Sequence, residues 1–261
     1  MTFREKFVVV TGAAGGIGRA LCRHFGGDGA RIGAIDKSAE VRDFAAALAK
    51  EGIAVSAEVA DIGDADAVTD AFKQLIAAHG PVDVLVNNAG FSNHATLAGT
   101  DPAGWREDIN GNLNGAYNCA YAVLPGMREK GAGAIVNIGS VNGLAALGDP
   151  AYSAAKAGMI SLTRSLALEC GQYGIRVNIV LPGTVRTPIW AERVKKDPKV
   201  LAKLERWYPL RRIVEPEDVA RAVAFLASDH AAAITGAALP VDCGLMAGNI
   251  VMARELTLED F

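Results

Sequence analysis

Several common signals are missing from this sequence of 261 residues. Its four cysteines are widely spaced and form no Cys-x-x-Cys pair, so neither a zinc site nor a disulfide framework is expected. The formal net charge of −3 lacks the basic excess of nucleic-acid-binding proteins. No apolar run approaches the roughly 18 residues that span a bilayer, and the amino-terminal run is too short for a signal peptide. We therefore expect a cytoplasmic protein that binds no metal, nucleic acid or membrane.

The sequence does contain short β-branched runs that alternate with longer Ala/Leu-rich segments. Fully apolar runs such as FVVV, VDVLV and AIVNI are typical of parallel strands covered on both faces. The alternation predicts an α/β fold, a Rossmann-like, doubly wound parallel sheet of about seven strands with helices on both faces. The predicted strands are 7–10, 31–35, 54–58, 82–86, 134–138, 176–181 and 237–241, and the predicted helices are 16–25, 41–50, 65–79, 105–128, 152–170 and 217–227.

No Pro/Ser-rich linker, composition break or internal repeat divides the chain, so residues 1–261 are expected to form a single domain. One stretch is different, because it is charged and interrupted by prolines between a predicted strand and the next helix. We expect this segment, residues 187–212, to be a helical lid over a substrate site.

A glycine-rich turn, VVVTGAAGGIGRA, follows the first predicted strand and opens a helix, which is where a dinucleotide-binding motif belongs. Gly12 permits the sharp turn, while Gly16 and Gly18 allow a phosphate and the helix backbone to approach closely. The amino end of the helix offers free N–H groups to a pyrophosphate. A glycine-rich turn without any ligand is the competing interpretation.

An acid at the end of the second strand strengthens the nucleotide interpretation. Asp36 follows the glycine motif at close to the offset of roughly 20 residues that is usual for an acid at the adenosine ribose. A carboxylate there accepts hydrogen bonds from the ribose hydroxyls and repels a 2′-phosphate. Lys37 is the only cation adjacent to it, so NAD is predicted to be preferred over NADP. Asp36 could instead be a simple helix cap. Asp61, after the third strand, could accept from the adenine amino group or likewise serve as a cap.

Tyr152 and Lys156 are four residues apart at the start of a predicted helix, so their side chains share a face. A lysine ammonium beside a tyrosine favours the phenolate and lowers the pKa of the tyrosine hydroxyl. Acid–base catalysis by Tyr152 near neutral pH is the chemistry that this pair predicts.

Taken together, the motifs resemble those of the short-chain dehydrogenase/reductase family. The matching segments, in the order of that family, are TGAAGGIG (11–18), NNAG (87–90), NGNLNGAYN (110–118), NIGS (137–140), YSAAK (152–156) and LPGTVRTP (181–188). The resemblance covers nearly the whole chain. It implies a Rossmann-like fold, a dimer or tetramer, and hydride transfer between a nicotinamide and an alcohol or carbonyl carbon without a metal.

The resemblance also implies residue roles. Ser140 would hydrogen-bond the substrate oxygen, and Tyr152 would give or take the proton of the substrate hydroxyl. Lys156 would hold the nicotinamide ribose. Asn112 would support a water relay behind the lysine, and Asn110 and Asn114 are competitors for that role. The implied cofactor-binding residues are Gly12, Gly16, Ile17, Gly18, Asp36, Asp61, Asn88, Gly90, Tyr152, Lys156, Pro182, Gly183, Val185 and Thr187.

The substrate pocket is expected to come from residues 92–94, residues 141–147 and the lid. The lid carries several cations, which favours a polar substrate, neutral or anionic, such as a sugar, sugar acid or hydroxy acid; a solvated lid explains the same charges. The predicted substrate-binding residues are His94, Ser140, Asn142, Tyr152, Arg186 and Arg193.

Two other functions fit the same fold. A reductase of 3-oxoacyl thioesters would share the catalytic residues, but it would normally use NADP, against which Asp36 argues. A non-catalytic NAD sensor or scaffold would not need Ser140, Tyr152 and Lys156 together. By resemblance we expect a homotetramer or homodimer, with interfaces on the helices predicted at 105–128 and 152–170.

Overall fold

The computed structural model describes residues 2–259; Met1, Asp260 and Phe261, which the predicted domain 1–261 includes, lie outside the described residues. One parallel sheet of seven strands carries the fold, in the order β3-β2-β1-β4-β5-β6-β7. The strands are β1 Phe7–Thr11, β2 Arg31–Asp36, β3 Val55–Val59, β4 Val84–Asn87, β5 Gly133–Ile138, β6 Ile175–Pro182 and β7 Ala238–Val241.

Helices connect these strands across both faces of the sheet. They are α1 Gly16–Gly27, α2 Glu40–Lys50, α3 Ala65–His79, α4 Pro102–Ile109, α5 Gly115–Lys130, α6 Pro150–Cys170, α7 Ala191–Lys196, α8 Val200–Glu205, α9 Pro216–Ala227 and α10 Ile250–Thr257. None of the helices in the described part of the chain is long and apolar enough to cross a membrane.

The apolar strands are buried because each face of the sheet is covered. Along β1, Val8 and Val10 pack into a core shared with α1, α2 and α9, whereas Phe7 and Val9 pack into a core shared with α3 and α5. Successive side chains of a strand point to opposite faces, so an uninterrupted apolar run fills both cores.

The strand order also positions the candidate site. The chain first builds outward from β1 through β2 to β3, and then starts again on the other side of β1 with β4. In sheets of this kind the loops at the carboxyl ends of the strands diverge at the point of reversal, and ligands bind in the crevice that this leaves. The crevice here lies beyond Thr11 of β1 and Asn87 of β4.

One helix prediction was wrong in detail. The predicted helix 105–128 is divided into α4 and α5 by a π-helical turn at Asn110–Asn114. The side-chain amide of Asn112 donates to the carbonyl of Asp108 at 2.8 Å, the acceptor that an α-helix would offer to the backbone N–H of Asn112. Because the side chain takes that acceptor, the helix widens locally.

Candidate active site

The glycine turn between β1 and α1 is held against β4. Gly12 has φ +64°, which favours glycine, and a Cβ there would lie 2.7 Å from the Cα of Ala89. The side-chain amide of Asn88 donates to the carbonyls of Thr11, at 2.9 Å, and Gly12, at 3.1 Å. Gly18 packs inside the turn, since a Cβ there would lie 2.1 Å from the Gly12 carbonyl oxygen. The turn therefore forms a fixed backbone surface.

The amino end of α1 faces a cleft above this turn. The residue that precedes the helix, Gly15, has no side chain, so no side-chain cap satisfies the first N–H groups of α1. Gly16 adds no Cβ on this side; one placed there would lie 2.7 Å from Thr187 Cγ2. Free N–H groups, the positive end of the helix dipole and an open surface suit a phosphate group.

Two carboxylates line the same cleft, whose volume is about 370 Å³. The carboxylate of Asp36, at the end of β2, accepts hydrogen bonds from the backbone N–H groups of Ala14 and Ser38, both at 2.9 Å and one on each oxygen. A carboxylate has about four acceptor positions, so Asp36 keeps capacity for two further donors such as ribose hydroxyls. The predicted cofactor-binding residues that line the cleft are Gly12, Gly16, Ile17, Asp36, Asp61, Asn88, Gly90 and Thr187.

Arg19 and Lys37 also line the cleft, and the sequence reasoning did not assign Arg19 to it. The guanidinium of Arg19 donates to the Ala14 carbonyl at 2.7 Å and stacks over the ring of Phe44 at 4.6 Å. The ammonium of Lys37 lies 4.4 Å from the centroid of the Phe91 ring. Arg19 directly follows the last glycine of the motif and so occupies the first turn of α1, a position that could have identified it.

A second cavity adjoins the cleft and contains the predicted catalytic groups. Ser140 follows β5, while Tyr152 and Lys156 occupy the first two turns of α6, and all three line this cavity of about 1270 Å³. The ammonium of Lys156 lies 5.4 Å from the centroid of the Tyr152 ring and donates to the carbonyl of Ile138 at 2.9 Å. The fold thus assembles a serine, a tyrosine and a lysine beside the cleft at the glycine turn.

Burial sets the protonation of these groups. It raises the pKa of Tyr152 to about 12, although the neighbouring Ser140 hydroxyl opposes the shift. Burial lowers the pKa of Lys156 to about 7. The expectation that Lys156 depresses the pKa of Tyr152 is therefore not met, because burial raises the pKa of the tyrosine and outweighs the opposing effect of Ser140.

Asn112 lies directly behind this cavity, in the π-helical turn. Its side-chain amide donates to the carbonyls of Phe91 and Asp108, both at 2.8 Å, which joins the loop after β4 to α4. Its Oδ1 is buried without a hydrogen-bond partner and faces the Cα of Gly90, where the ammonium of Lys156 also lies. Asn110 and Asn114, the competing candidates, are hydrogen-bonded to each other at 3.1 Å on the outer side.

The remaining predicted residues divide into two groups. Asn142, Arg193, Pro182, Gly183 and Val185 line the second cavity. His94 and Arg186 are absent from its lining. His94 packs against α4, where a Cβ on Gly104 would lie 2.4 Å from its Nε2. The guanidinium of Arg186 is ion-paired with Glu215 at 2.9 Å and Glu205 at 3.5 Å, which turns it away from the cavity.

Several residues of the cavity were not found from the sequence. Asp149 was missed because an Asp-Pro pair at the start of a helix is typical of a cap. Trp190 and Trp207 come from the segment 187–212, and Met246 and Asn249 come from the region around α10, for which no helix was predicted. Only tertiary packing brings these distant stretches to one wall.

Comparison with known proteins agrees with this geometry. A family model described as enoyl-(acyl carrier protein) reductase matches residues 12–246. An uncharacterised oxidoreductase of Schizosaccharomyces pombe, C922.06, is 44% identical over 100% of this chain and 98% of its own length.

Two solved structures are similar as well. An oxidoreductase of the short-chain dehydrogenase/reductase family from Burkholderia thailandensis has a TM-score of 0.91 and 52% identity over 98% of each chain. A gluconate 5-dehydrogenase from Burkholderia cenocepacia J2315, solved with NADP and tartrate, has a TM-score of 0.89 and 30% identity, covering 95% of this chain and 97% of its own. The sheet, the glycine turn and the assembled Ser140, Tyr152 and Lys156 accord with these matches, and the chain belongs to the short-chain dehydrogenase/reductase family.

Proposed function

We propose that the protein is an NAD(H)-dependent dehydrogenase that oxidises a secondary alcohol of a small polar substrate. The observation that carries this proposal is the juxtaposition of Ser140, Tyr152 and Lys156 in a cavity that opens onto the nucleotide cleft. Both cavities are lined by Ile17, Asn88, Gly90 and Thr187, so a molecule in the cleft and one in the cavity would touch across these residues.

The cleft residues fit a dinucleotide. The N–H groups at the uncapped end of α1 would bind the pyrophosphate. The Asp36 carboxylate has lone pairs that are not used by the N–H groups of Ala14 and Ser38, and these would accept hydrogen bonds from the adenosine ribose hydroxyls. The fixed charge of Asp36 disfavours a 2′-phosphate, so NAD is the proposed cofactor. When bound, NAD supplies the hydride acceptor.

Side chains of the protein would remove the proton of the substrate hydroxyl. Ser140 would donate to the substrate oxygen and Tyr152 would remove the hydroxyl proton as the carbon is oxidised. Because burial holds the pKa of Tyr152 at about 12, the tyrosine needs a positive charge nearby before it can act as a base. Lys156 would provide it by keeping its proton when the site is occupied, with Asn112 supporting a water behind it.

The cavity indicates the substrate class. It carries both charge and hydrogen-bonding groups, with Arg193 and Lys196 contributed by α7 and Asn142 by the loop after β5. A sugar, sugar acid or hydroxy acid would form hydrogen bonds and ion pairs with these groups. The segment 187–212 would act as a lid, since it supplies Trp190 and Trp207 to the same cavity. The single-domain organisation of residues 1–261 is part of this proposal.

A thioester substrate is the second candidate. The cavity also includes the proposed nicotinamide position, and its Leu147, Trp190 and Trp207 side chains offer apolar surface to an acyl chain. The matched family model also takes its description from an acyl thioester enzyme. The proposed preference for NAD argues for the polar alcohol instead.

We also propose self-association through α5 and α6. Their outer surfaces expose Tyr121, at 68%, and Leu168, at 86%, and Tyr117 stacks near Tyr121 with ring centroids 6.1 Å apart. Exposed aromatic and aliphatic side chains of this size favour an interface. Light scattering of the Leu168→Asp variant should show dissociation into monomers; an unchanged mass would contradict this interface.

One experiment distinguishes the candidate reactions. NADH formation is measured against sugars, sugar acids, hydroxy acids and cyclic alcohols, with NADP in parallel, and acetoacetyl-CoA reduction is measured with both reduced cofactors. Turnover of an alcohol group with NAD is the expected result. Turnover confined to acetoacetyl-CoA and NADPH would replace the proposal by the thioester reductase, and the absence of all turnover would favour a non-catalytic NAD-binding protein.

A further inference from the structure

A carboxylate outside the assigned catalytic set lines the substrate cavity. Asp149 directly precedes α6 and stands three residues before Tyr152. It lines the same cavity as Ser140 and Tyr152, and its charge adds to the burial that raises the pKa of the tyrosine. The carboxylate therefore lies on the wall of the same cavity as the proposed catalytic groups.

The backbone of Asp149 is held in an unusual conformation. Its φ of 50° and ψ of 67° lie in the left-handed region, although residues before a proline normally adopt extended backbone. An aspartate at this position ordinarily caps the following helix, but the Asp149 side chain makes no cap hydrogen bond to α6. Strain of this kind persists where neighbouring groups enforce it and is frequent at functional sites.

The loop after β4 enforces the conformation. The hydroxyl of Ser92 donates to Oδ1 of Asp149 at 2.6 Å, and the backbone N–H of Asp149 donates to the carbonyl of Ala95 at 3.0 Å. Ser92 also lines the cavity. The two side chains thus form one pair on the wall, with the carboxylate turned away from the helix end.

The pair presents hydrogen-bond acceptors that the protein does not saturate. Within residues 2–259, no lysine or arginine forms an ion pair with Asp149, and Oδ2 receives no hydrogen bond from a protein donor. Apart from Lys156 of α6, the lysine and arginine side chains that line the cavity are Arg193 and Lys196, which come from α7. The part of the wall formed by Asp149 and Ser92 therefore carries a negative charge and free hydrogen-bond acceptors.

We infer that Asp149 and Ser92 form a subsite for a hydrogen-bond donor, a hydroxyl or an ammonium group, carried by the substrate close to its reacting carbinol. A carboxylate at that position would face Asp149 and be excluded, so an acidic substrate would have to hold its anionic group elsewhere, towards α7. This inference rests on the proposed function, because it takes Tyr152 to mark the reacting carbon.

Binding tests the subsite without requiring turnover. Cyclohexanol, cis-1,2-cyclohexanediol, cis-2-aminocyclohexanol and cis-2-hydroxycyclohexanecarboxylate share a ring and a secondary alcohol, and differ in the second group. Their dissociation constants are measured by ligand-observed NMR with the Tyr152→Phe protein, with and without Asp149→Asn. The expected result is that the diol or the amino alcohol binds about 10-fold to 100-fold more tightly than cyclohexanol, as a hydrogen bond to a charged group allows.

The Asp149→Asn change keeps the shape of the side chain and suits the left-handed backbone. It should abolish the preference for the donor-bearing probe and improve binding of the carboxylate-bearing probe. Glu192→Gln is the matched control, because Glu192 lines the same cavity but is ion-paired with Lys195 at 2.5 Å. The preference should survive this control.

The outcomes separate the inference from the proposed function. Preference for the amino alcohol would support the subsite and assign it to ammonium groups, and preference for the diol would assign it to hydroxyl groups. Equal binding of all probes, no measurable diol or amino alcohol binding, or a preference that survives Asp149→Asn would overturn the inference. If the preference depends on Asp149 but the wild type oxidises no alcohol with NAD, the subsite stands and the proposed reaction fails.

Discussion

Replacing Lys156 by methionine should stabilise the protein at neutral pH while removing a proposed catalytic group. Lys156 is 2% exposed, and its burial lowers its pKa from 10.5 to about 7. Unfolded chains hold the lysine proton up to about pH 10.5, so between about pH 7 and 10.5 the unfolded state binds more protons than the folded one. The contribution of Lys156 to the free energy of unfolding must therefore rise with pH across that window.

The magnitude follows from the size of the shift. At 1.36 kcal/mol for each unit of pKa, the buried lysine opposes folding by about 4 kcal/mol at pH 7, and about 2 kcal/mol of this is regained by pH 9. Methionine has no charge to desolvate, but it leaves the carbonyl of Ile138 without its donor, which costs about 1–3 kcal/mol. The Lys156→Met variant is thus expected to be about 2 kcal/mol more stable at pH 7, with the difference closing near pH 9.

Urea denaturation of both proteins at several pH values and one protein concentration measures the difference. Buried thiols such as Cys22, whose pKa burial raises to about 12, titrate alike in both proteins and cancel. Staying below about pH 9 also avoids most of the ionisation of tyrosines in the unfolded chain. A stability difference that does not change with pH, or a variant less stable than wild type at pH 7, would refute the reasoning.

Three other substitutions test separate parts of the site. Gly18→Ala places a Cβ 2.1 Å from the Gly12 carbonyl oxygen, so it should lower stability by about 1–3 kcal/mol and weaken NAD binding. In the control Gly27→Ala the added Cβ meets no atom within 4 Å, so stability and NAD binding should not change. Calorimetry measures the stability of both variants, and titration measures their NAD binding. Asp36→Ala should lower the NAD/NADP ratio of kcat/KM by about 10-fold to 100-fold, and an unchanged ratio would remove Asp36 from cofactor choice. Arg193→Ala should raise the KM of an anionic substrate about 10-fold, while Arg186→Ala should not, since Glu205 and Glu215 hold that guanidinium; equal effects would contradict the geometry.

The regular part of the fold could be predicted from the sequence because local pattern determines it. The helix Ala65–His79 was predicted with the bounds observed, and the seven strands were found within two residues at each end. Short, fully apolar runs that alternate with helical segments are typical of strands inside a covered parallel sheet. The π-helical turn was not predicted, although the NGNLNG run, with its asparagines and glycines, is a poor helix former.

The site was predictable only where short motifs define it. Ser140, Tyr152 and Lys156 meet because one follows a strand and the others share a helix face. The surroundings of His94, Arg186 and Asp149 could not be predicted from the sequence because they depend on tertiary partners: the space left by Gly104, the two glutamates around Arg186, and the Ser92 hydroxyl that donates to Asp149. Sequence spacing contains no information about such partners.

The role of Tyr152 is tested most directly by removing one oxygen atom. Tyr152→Phe and the control Tyr173→Phe each delete a phenolic hydroxyl, and Tyr173 lies in the turn after the carboxyl end of α6, at the opposite end of this helix from Tyr152. NADH formation by both variants is compared with wild type on the same alcohol, with NAD binding measured in parallel. We predict that Tyr152→Phe loses at least about 10²-fold in kcat with NAD binding retained, while Tyr173→Phe matches wild type. A Tyr152→Phe protein with full activity would contradict the proposed mechanism.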